Sequence, residues 1–129
     1  MSKTRTQKNV LFFFGADIDL MHLDVALKNH GLTVNVARSV DDALAYLDSH
    51  PIDLILIQDF SDKYMLTATE KLQQHLHNTR QDVPVAVVSY SAGDAEFVGK
   101  AFRIGVSKVF SRHTSLVDIV PRIDAMFED

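Results

Sequence analysis

The chain has 129 residues, a length that fits one domain and hardly two. Hydrophobic residues make up 47% and charged residues 23%, which excludes wholesale disorder, and no apolar run approaches the ~18 residues of a membrane span. With no cysteine, the chain has no disulfide, thiolate zinc site or cysteine nucleophile, and we expect a cytoplasmic protein. The net charge of −4 argues against direct nucleic-acid binding. Residues 1–8 are predicted to be a basic tail and residues 9–129 one domain.

The domain begins with two predicted strands separated by a helix. Val10–Phe14 is an apolar run of strand length, typical of a central parallel strand that is buried on both faces. Three leucines at helical spacing predict a helix over about Asp19–Asn29, with Gly31 as its stop signal. Leu32–Val36 alternates apolar with polar residues, a pattern that is typical of a strand at the edge of a sheet.

The middle of the chain continues the alternation. The second helix is predicted to open with Ser39 as its N-cap, and the residues predicted to be buried on it are Ala43, Leu44 and Leu47. Leu54–Ile57 is a second run that is apolar on both faces. The third helix is predicted from one apolar face that contains Met65, Ala68, Thr69, Leu72 and Leu76.

Two further strand and helix patterns complete the chain. Val83–Val88 is the third fully apolar run, and Val106–Phe110 has polar residues at its centre, as an edge strand does. The fourth helix is predicted over about Asp94–Ile104, with Val98, Ala101 and Phe102 turned inward. The fifth is predicted to follow Thr114 or Ser115 and to continue, kinked, through Pro121, which falls opposite the apolar stripe.

Five strand–helix units in succession predict a parallel sheet that is covered by helices on both faces. With the two polar strands at the edges, the order is 2-1-3-4-5. We therefore predict an α/β fold: a flavodoxin-like, doubly wound, five-stranded parallel sheet with five helices. Ligands of such sheets bind beyond the carboxyl ends of the strands, beside the point where the strand order reverses. The residues that occupy this position are 14–19, 58–63, 89–93 and 110–114.

An ordered set of short motifs resembles the receiver domain of two-component response regulators, from Asn9 to Phe127. The set consists of Gly31 with Val34 and Ala37, Ala43-Leu44, Pro51 to Ile57, Val83-Pro84-Val85, Ser89, and Ala101 to Gly105. The resemblance implies phosphoryl transfer from a histidine kinase to an aspartate at the end of the third strand. It also implies an acidic pair that holds Mg²⁺. In addition, it implies a lysine and a hydroxyl group that contact the phosphoryl group.

In this sequence the acidic-pair positions are Phe14 and Gly15, and the phosphoacceptor position is Gln58. The lysine and hydroxyl positions are Arg112 and Ser89. A glutamine amide cannot become an acyl phosphate, and Phe14 with Gly15 cannot bind Mg²⁺. The chain therefore resembles a degenerate pseudo-receiver, and we expect no enzymatic activity, no catalytic residue, no metal and no cofactor.

Two residues of this degenerate site have simpler interpretations as well. Ser89 either caps the end of its strand or keeps a role as the switch hydroxyl. Arg112 either pairs with Asp17, Asp59 or Asp62 to fix a loop, which we favour, or contacts a phosphate group.

Two functions follow from these residues. The first is a phosphorylation-independent signalling module that binds another protein, other domains of a longer polypeptide, or a second copy as a homodimer. The second is an atypical phosphoacceptor domain of a phosphorelay, with Asp59 as the acceptor and Asp17 or Asp62 assisting a metal. A one-residue offset reverses side-chain direction on a strand, which weighs against Asp59.

The distribution of charge predicts where a partner protein binds. No Asp or Glu occurs from Ala101 to Val117, and the basic residues in and beside this segment include Lys100, Arg103, Lys108 and Arg112. In the family that this chain resembles, the fourth helix, last strand and fifth helix form the usual signalling face. We therefore expect these residues to form an interaction face for an acidic protein surface.

Overall fold

The computed structural model describes residues 8–14, 22–58 and 62–127, and within them an α/β fold with a five-stranded sheet. The strands are β1 (Asn9–Phe14), β2 (Thr33–Ala37), β3 (Leu54–Gln58), β4 (Val85–Ser89) and β5 (Lys108–Ser111). The helices are α1 (Leu23–Asn29), α2 (Val40–Ser49), α3 (Asp62–Asn78), α4 (Ala95–Arg103) and α5 (Leu116–Asp124), with a 3₁₀ turn over Ala125–Phe127. Among the described residues, no helix is both long enough and apolar enough to cross a membrane.

The sheet confirms the predicted topology. All its strand pairs are parallel, and the order is β2-β1-β3-β4-β5, so the polar strands β2 and β5 lie at the edges. Successive residues of the central strands face opposite sides: Phe13 packs with α2, α3 and α4, whereas Phe12 packs with α1 and α5. Full burial of one such side chain contributes about 1.5–3 kcal/mol. The two helical layers therefore follow from strands that are apolar on both faces.

The predicted helix faces are confirmed in part. All five residues predicted on the apolar face of α3 are buried, and Ser39 caps α2 by accepting a hydrogen bond from the Asp42 backbone N–H at 3.0 Å. Leu44 is only partly buried. The first helix begins at Leu23 in the described residues, and the predicted start near Asp19 lies outside them. Strand bounds differ from the predicted ones by one or two residues, which is the usual scatter at element ends.

The prediction that Phe102 turns inward is wrong. Phe102 is 50% exposed, whereas Phe97 of the same helix is 4% exposed and packs in the core beside Ala101. Residues four apart share a helix face, so Phe97 and Ala101 are placed together, and Phe102 is rotated about 100° away from Ala101. The helix thus buries one aromatic residue and leaves the other on the surface.

The ends of α1 and α4 and the interior of α5 agree with the glycine and proline signals in the sequence. Gly31 and Gly105 have φ angles of +102° and +94°, the left-handed conformation that ends α1 and α4. The fifth helix has Ser115 at its N-cap and continues through Pro121, which is exposed. The carbonyl that lacks its helical partner there belongs to Val117, whose side chain is 83% exposed, so water reaches this turn.

The backbone angle at Gly31 generates a stability prediction. Gly31→Ala is expected to lower the free energy of unfolding by about 1–2 kcal/mol, because an L-residue is strained in the left-handed region although open space surrounds the new Cβ. Gly93→Ala is the matched control, since its Cβ also meets nothing and its φ is not positive. Urea unfolding followed by circular dichroism measures both; equal effects of the two variants would contradict the prediction.

Candidate functional site

The carboxyl edge of the sheet brings together the residues that the sequence singled out. Strand register places Phe14 beside Gln58, Gln58 beside Val88, and Val88 beside Phe110. Neighbours in parallel register share a face, and Phe14, Val88 and Phe110 belong to the core on the α1 and α5 side. Tyr90 and Arg112 are the first residues after β4 and β5.

Gln58 lies at the centre of this edge, where the resemblance places a phosphoaccepting aspartate. It is 1% exposed, and its neighbours in the register are the apolar residues Phe14 and Val88. Its side-chain oxygen Oε1 has no hydrogen-bond partner among the described residues. A buried polar atom without a partner costs about 1–3 kcal/mol, so Gln58 is a costly residue for this position.

Phe14 is covered by Arg38, the residue that directly follows the neighbouring edge strand β2. The Arg38 guanidinium carbon lies 5.2 Å from the centre of the Phe14 ring, and the Arg38 backbone N–H donates to Asp42 Oδ2 at 3.4 Å. A guanidinium over an aromatic face is attracted by the ring quadrupole, by about 0.5–1 kcal/mol at exposed sites. A ring and a cation thus stand at the end of β1, where the resemblance implies a metal-binding carboxylate.

A second pair of an arginine and an aromatic ring lies just beyond the ends of β4 and β5. The Arg112 guanidinium carbon lies 5.1 Å from the centre of the Tyr90 ring, and the His113 ring meets Tyr90 edge-on with centroids 5.3 Å apart. The Arg112 backbone N–H donates to the Ser89 carbonyl at 3.0 Å, which extends the pairing of β5 with β4. The Nε atom of Arg112 is buried and has no hydrogen-bond partner among the described residues.

Ser89 makes the local contact that its simpler interpretation expects. It is fully buried, and its Oγ accepts a hydrogen bond from the Ser91 backbone N–H at 2.9 Å. The hydroxyl therefore fixes the turn that follows β4. This contact leaves the hydroxyl proton of Ser89 available, so a switch role stays a prediction.

Several predicted site residues lie outside the described part of the chain. These are Gly15, Asp17 and Asp59, together with the side chain of Asp62. The alternative phosphoacceptor Asp59 and the predicted carboxylate partners of Arg112 therefore stay predictions. Within residues 8–14, 22–58 and 62–127, no group of three or more His, Cys, Asp or Glu side chains could hold a metal ion.

The predicted interaction face is divided between the two ends of β5. Lys108 begins β5 and is exposed, whereas Arg112 follows the strand's carboxyl end, about 13 Å farther along at ~3.3 Å per residue. Lys100 and Arg103 lie in the last turn of α4. Lys100 pairs with Glu96 at 3.2 Å, and Arg103 Nε donates to the Gly99 carbonyl at 3.2 Å. Both arrangements leave the cationic groups at the helix surface.

A cleft of about 260 Å³ lies beside these two residues, between α3 and α4. Its apolar wall is formed by Leu66 and Ile104, and its charged rim by Glu70, Lys100 and Arg103. Phe102, which is half exposed, lies between the two rim residues in sequence. We call Lys100, Arg103 and Lys108 the α4–β5 surface; Arg112, the fourth residue of the predicted face, lies beyond the other end of β5.

Comparison with known proteins gives matches among solved structures only. No family model and no curated protein matches this sequence. A response regulator from Thermotoga maritima is similar with a TM-score of 0.80 and 18% identity, over 96% of this chain and 100% of that one. A CheY-like receiver domain protein from Methanospirillum hungatei has a TM-score of 0.75 at 18% identity, over 94% of each chain. An orphan response regulator of H. pylori has a TM-score of 0.72 at 21% identity, over 95% of this chain and 98% of that one. At these identities the likeness shows that the fold is that of receiver domains.

The buried amide of Gln58 generates a second stability prediction. Gln58→Leu is expected to raise the free energy of unfolding by about 1–2 kcal/mol, because an apolar side chain of similar size removes the unpartnered amide oxygen from between Phe14 and Val88. Gln74→Leu, on the exposed side of α3, is the matched control and is expected to stay within about 0.5 kcal/mol of wild type. Urea unfolding in phosphate-free buffer measures both. Destabilisation by Gln58→Leu would show that the amide has a partner in the folded chain.

Proposed function

We propose that this chain is a phosphorylation-independent signalling module, a pseudo-receiver that uses the receiver fold of two-component response regulators to bind another protein. The observation that carries the proposal is Gln58, a buried amide at the end of β3 between Phe14 and Val88. Phosphoryl transfer to a receiver needs a carboxylate nucleophile that is open to solvent and metal, and neither condition holds at this residue.

The neighbouring residues support the same proposal. Phosphoryl transfer places a dianionic group beside carboxylates, and this arrangement needs Mg²⁺ to compensate the charge. At the end of β1 the Phe14 ring and the Arg38 guanidinium take the place of a metal-binding carboxylate. In this proposal the Arg38 guanidinium supplies positive charge at the end of β1 in place of a metal ion.

The α4–β5 surface is the binding face in this proposal. Lys100, Arg103 and Lys108 are exposed cations, and the half-exposed Phe102 lies on the same helix as two of them. An acidic protein surface complements these cations, since opposite charge steers the encounter of the two proteins. The partner is another protein, another domain of a longer polypeptide, or a second copy of the chain.

Chemical phosphorylation tests the first half of the proposal. Incubation with Mg²⁺ and acetyl phosphate is expected to leave the intact mass of the protein unchanged, because Gln58 provides no carboxylate. Mass spectrometry with peptide mapping checks the result, and a receiver domain that is known to accept phosphate serves as the positive control. A phosphoryl adduct at Asp59 would establish the alternative, an atypical phosphoacceptor domain.

Gln58→Asp extends this experiment to the acceptor position. The single variant is also expected to stay unphosphorylated, since Phe14 supplies no metal ligand and burial among apolar residues raises the pKa of the new carboxyl. Mg²⁺-dependent labelling of this variant would reveal a metal site at the edge and would contradict the proposal.

Charge reversal tests the binding face. Lys100→Glu with Arg103→Glu is expected to weaken partner binding at least tenfold, because two of the three cations on the face change sign. The matched control is Lys28→Glu with Lys71→Glu, which changes the net charge equally on exposed positions of α1 and α3. Circular dichroism verifies the fold, and light scattering at several concentrations detects self-association.

Partner capture from lysate at several salt concentrations, quantified by mass spectrometry, compares the two double variants. Loss of the same partners in both would indicate a net-charge effect. Retention of all partners by Lys100→Glu with Arg103→Glu would exclude the α4–β5 surface as the interface.

A further inference from the structure

The helices α2, α3 and α4 cover the same side of the sheet, and α3 lies between the other two. We call their exposed side the α2–α3–α4 layer. Its two flanks carry opposite charge. Asp41 and Asp48 are exposed on α2, a helix with three acidic residues and no Lys or Arg. Lys100 and Arg103 are exposed on α4. The layer is therefore acidic on one flank and carries two cations on the other.

The two acidic residues of α2 lie on one face of the helix, because they are seven residues apart and seven residues make two turns. Asp48 lies in the last turn, where the helix dipole favours a cation and α2 has none. It is 61% exposed, although His75 Nε2 lies 2.9 Å from its Oδ1. Asp41 has no ion pair within residues 8–14, 22–58 and 62–127. Both carboxylates can thus receive a cation from outside the chain.

The two cations of α4 face the same outer surface. Lys100 and Arg103 line the cleft between α3 and α4, as Asp41 lines a cleft of about 520 Å³ between α2 and α3. Lys100 shares its charge with Glu96 at 3.2 Å. The side chain of Arg103 donates to a neutral carbonyl and has no ion pair with any residue that the structure describes. Arg103 therefore keeps its full charge for an external carboxylate.

The last turns of α2 and α4 lie level on the two flanks of α3. Asp48 contacts α3 at His75, and Gly105, which ends α4, meets α3 at Gln73. Two residues correspond to about 3 Å along a helix axis. The three helices run in the same direction, since all of them connect parallel strands. A two-fold axis parallel to α3 therefore places α2 of one copy over α4 of another, and the reverse at the same time.

We propose that two copies of this chain form a symmetric dimer through the α2–α3–α4 layer. Asp41 and Asp48 of each copy face Lys100 and Arg103 of the other. The inference rests on the proposed function, because it names the partner of two cations of the α4–β5 surface. It adds that the acidic partner surface is α2 of the same protein.

The size of the layer and the charges at its centre fit such a contact. With 17 residues, α3 is about 25 Å long, and three packed helices are about 25–30 Å wide. This area approaches the ~800 Å² that each partner buries in an interface of standard size. Glu70 and Lys71 are adjacent on α3 and opposite in sign, so they leave no net charge where the two copies of α3 meet.

Sedimentation velocity over a range of protein concentrations tests the dimer. Wild type is expected to dimerise at about 50 mM salt and to bind at least tenfold more weakly at about 500 mM, because salt screens exposed charges. Asp41→Lys with Asp48→Lys is expected to be monomeric, and so is Lys100→Glu with Arg103→Glu. An equimolar mixture of the two double variants is expected to dimerise, since one then carries acids on both flanks and the other carries bases on both.

The matched control reverses two acids outside the layer. Asp82→Lys with Asp118→Lys changes the net charge equally, at exposed positions after α3 and on α5, and is expected to dimerise as wild type does. Circular dichroism verifies the fold of each variant. If the variant with two lysines on α2 fails to fold, Asp41→Asn with Asp48→Asn replaces it and is expected to weaken dimerisation at least tenfold.

Three results would overturn the dimer: a monomeric wild type at low salt, unchanged dimerisation of the folded α2 variant, or a mixture that stays monomeric. Failure of the dimer and failure of the proposed function are distinguishable. A monomeric wild type that captures another protein through Lys100 and Arg103 overturns the dimer alone. A dimer that accepts a phosphoryl group at Asp59 overturns the phosphorylation-independent function and supports the dimer.

Discussion

Burial of the central strands on both faces is the constraint on which the rest of the structure depends. Phe12 and Phe13 are adjacent in β1 and fully buried, yet they belong to opposite sides of the sheet. A strand of this kind is stable only between two helical layers. Consecutive parallel strands are joined by crossover helices, and these helices form the two layers. Every strand of the sheet then ends at the same edge. The location of the candidate site is therefore a consequence of the core.

Much of this arrangement could be predicted from the sequence, because long apolar runs and helical spacing report burial directly. The order of the strands, the face of α3 and the cap at Ser39 are confirmed on these grounds. The orientation of α4 was harder, since Phe97 and Phe102 are both aromatic and only their angular relation to Ala101 decides which is buried. A pattern with two equivalent apolar stripes does not determine which stripe faces the core.

The site was predictable as a set of positions but not as a set of contacts. Sequence reasoning placed Phe14, Gln58, Ser89 and Arg112 at one edge, and it missed Arg38 over Phe14 and Tyr90 beneath Arg112. A signal for the first contact did exist. Phe13 is level with Ala37 in the register, so Arg38 follows directly beside Phe14. The second contact depends on where a long, flexible side chain lies, and strand periodicity indicates only its side of the sheet.

The two pairs of an arginine and an aromatic ring stabilise the carboxyl edge of the sheet on both sides of Gln58, which itself destabilises it. Arg38 on Phe14 and Arg112 on Tyr90 hold the ends of four strands by contacts that need neither metal nor phosphoryl group. Between them Gln58 carries a buried oxygen without a partner among the described residues. An apolar side chain there would pack against Phe14 and Val88 at no such cost. Gln58 Oε1 and Arg112 Nε are the buried polar atoms at this edge that have no partner among the described residues, so the surrounding contacts stabilise the edge while these two atoms oppose it.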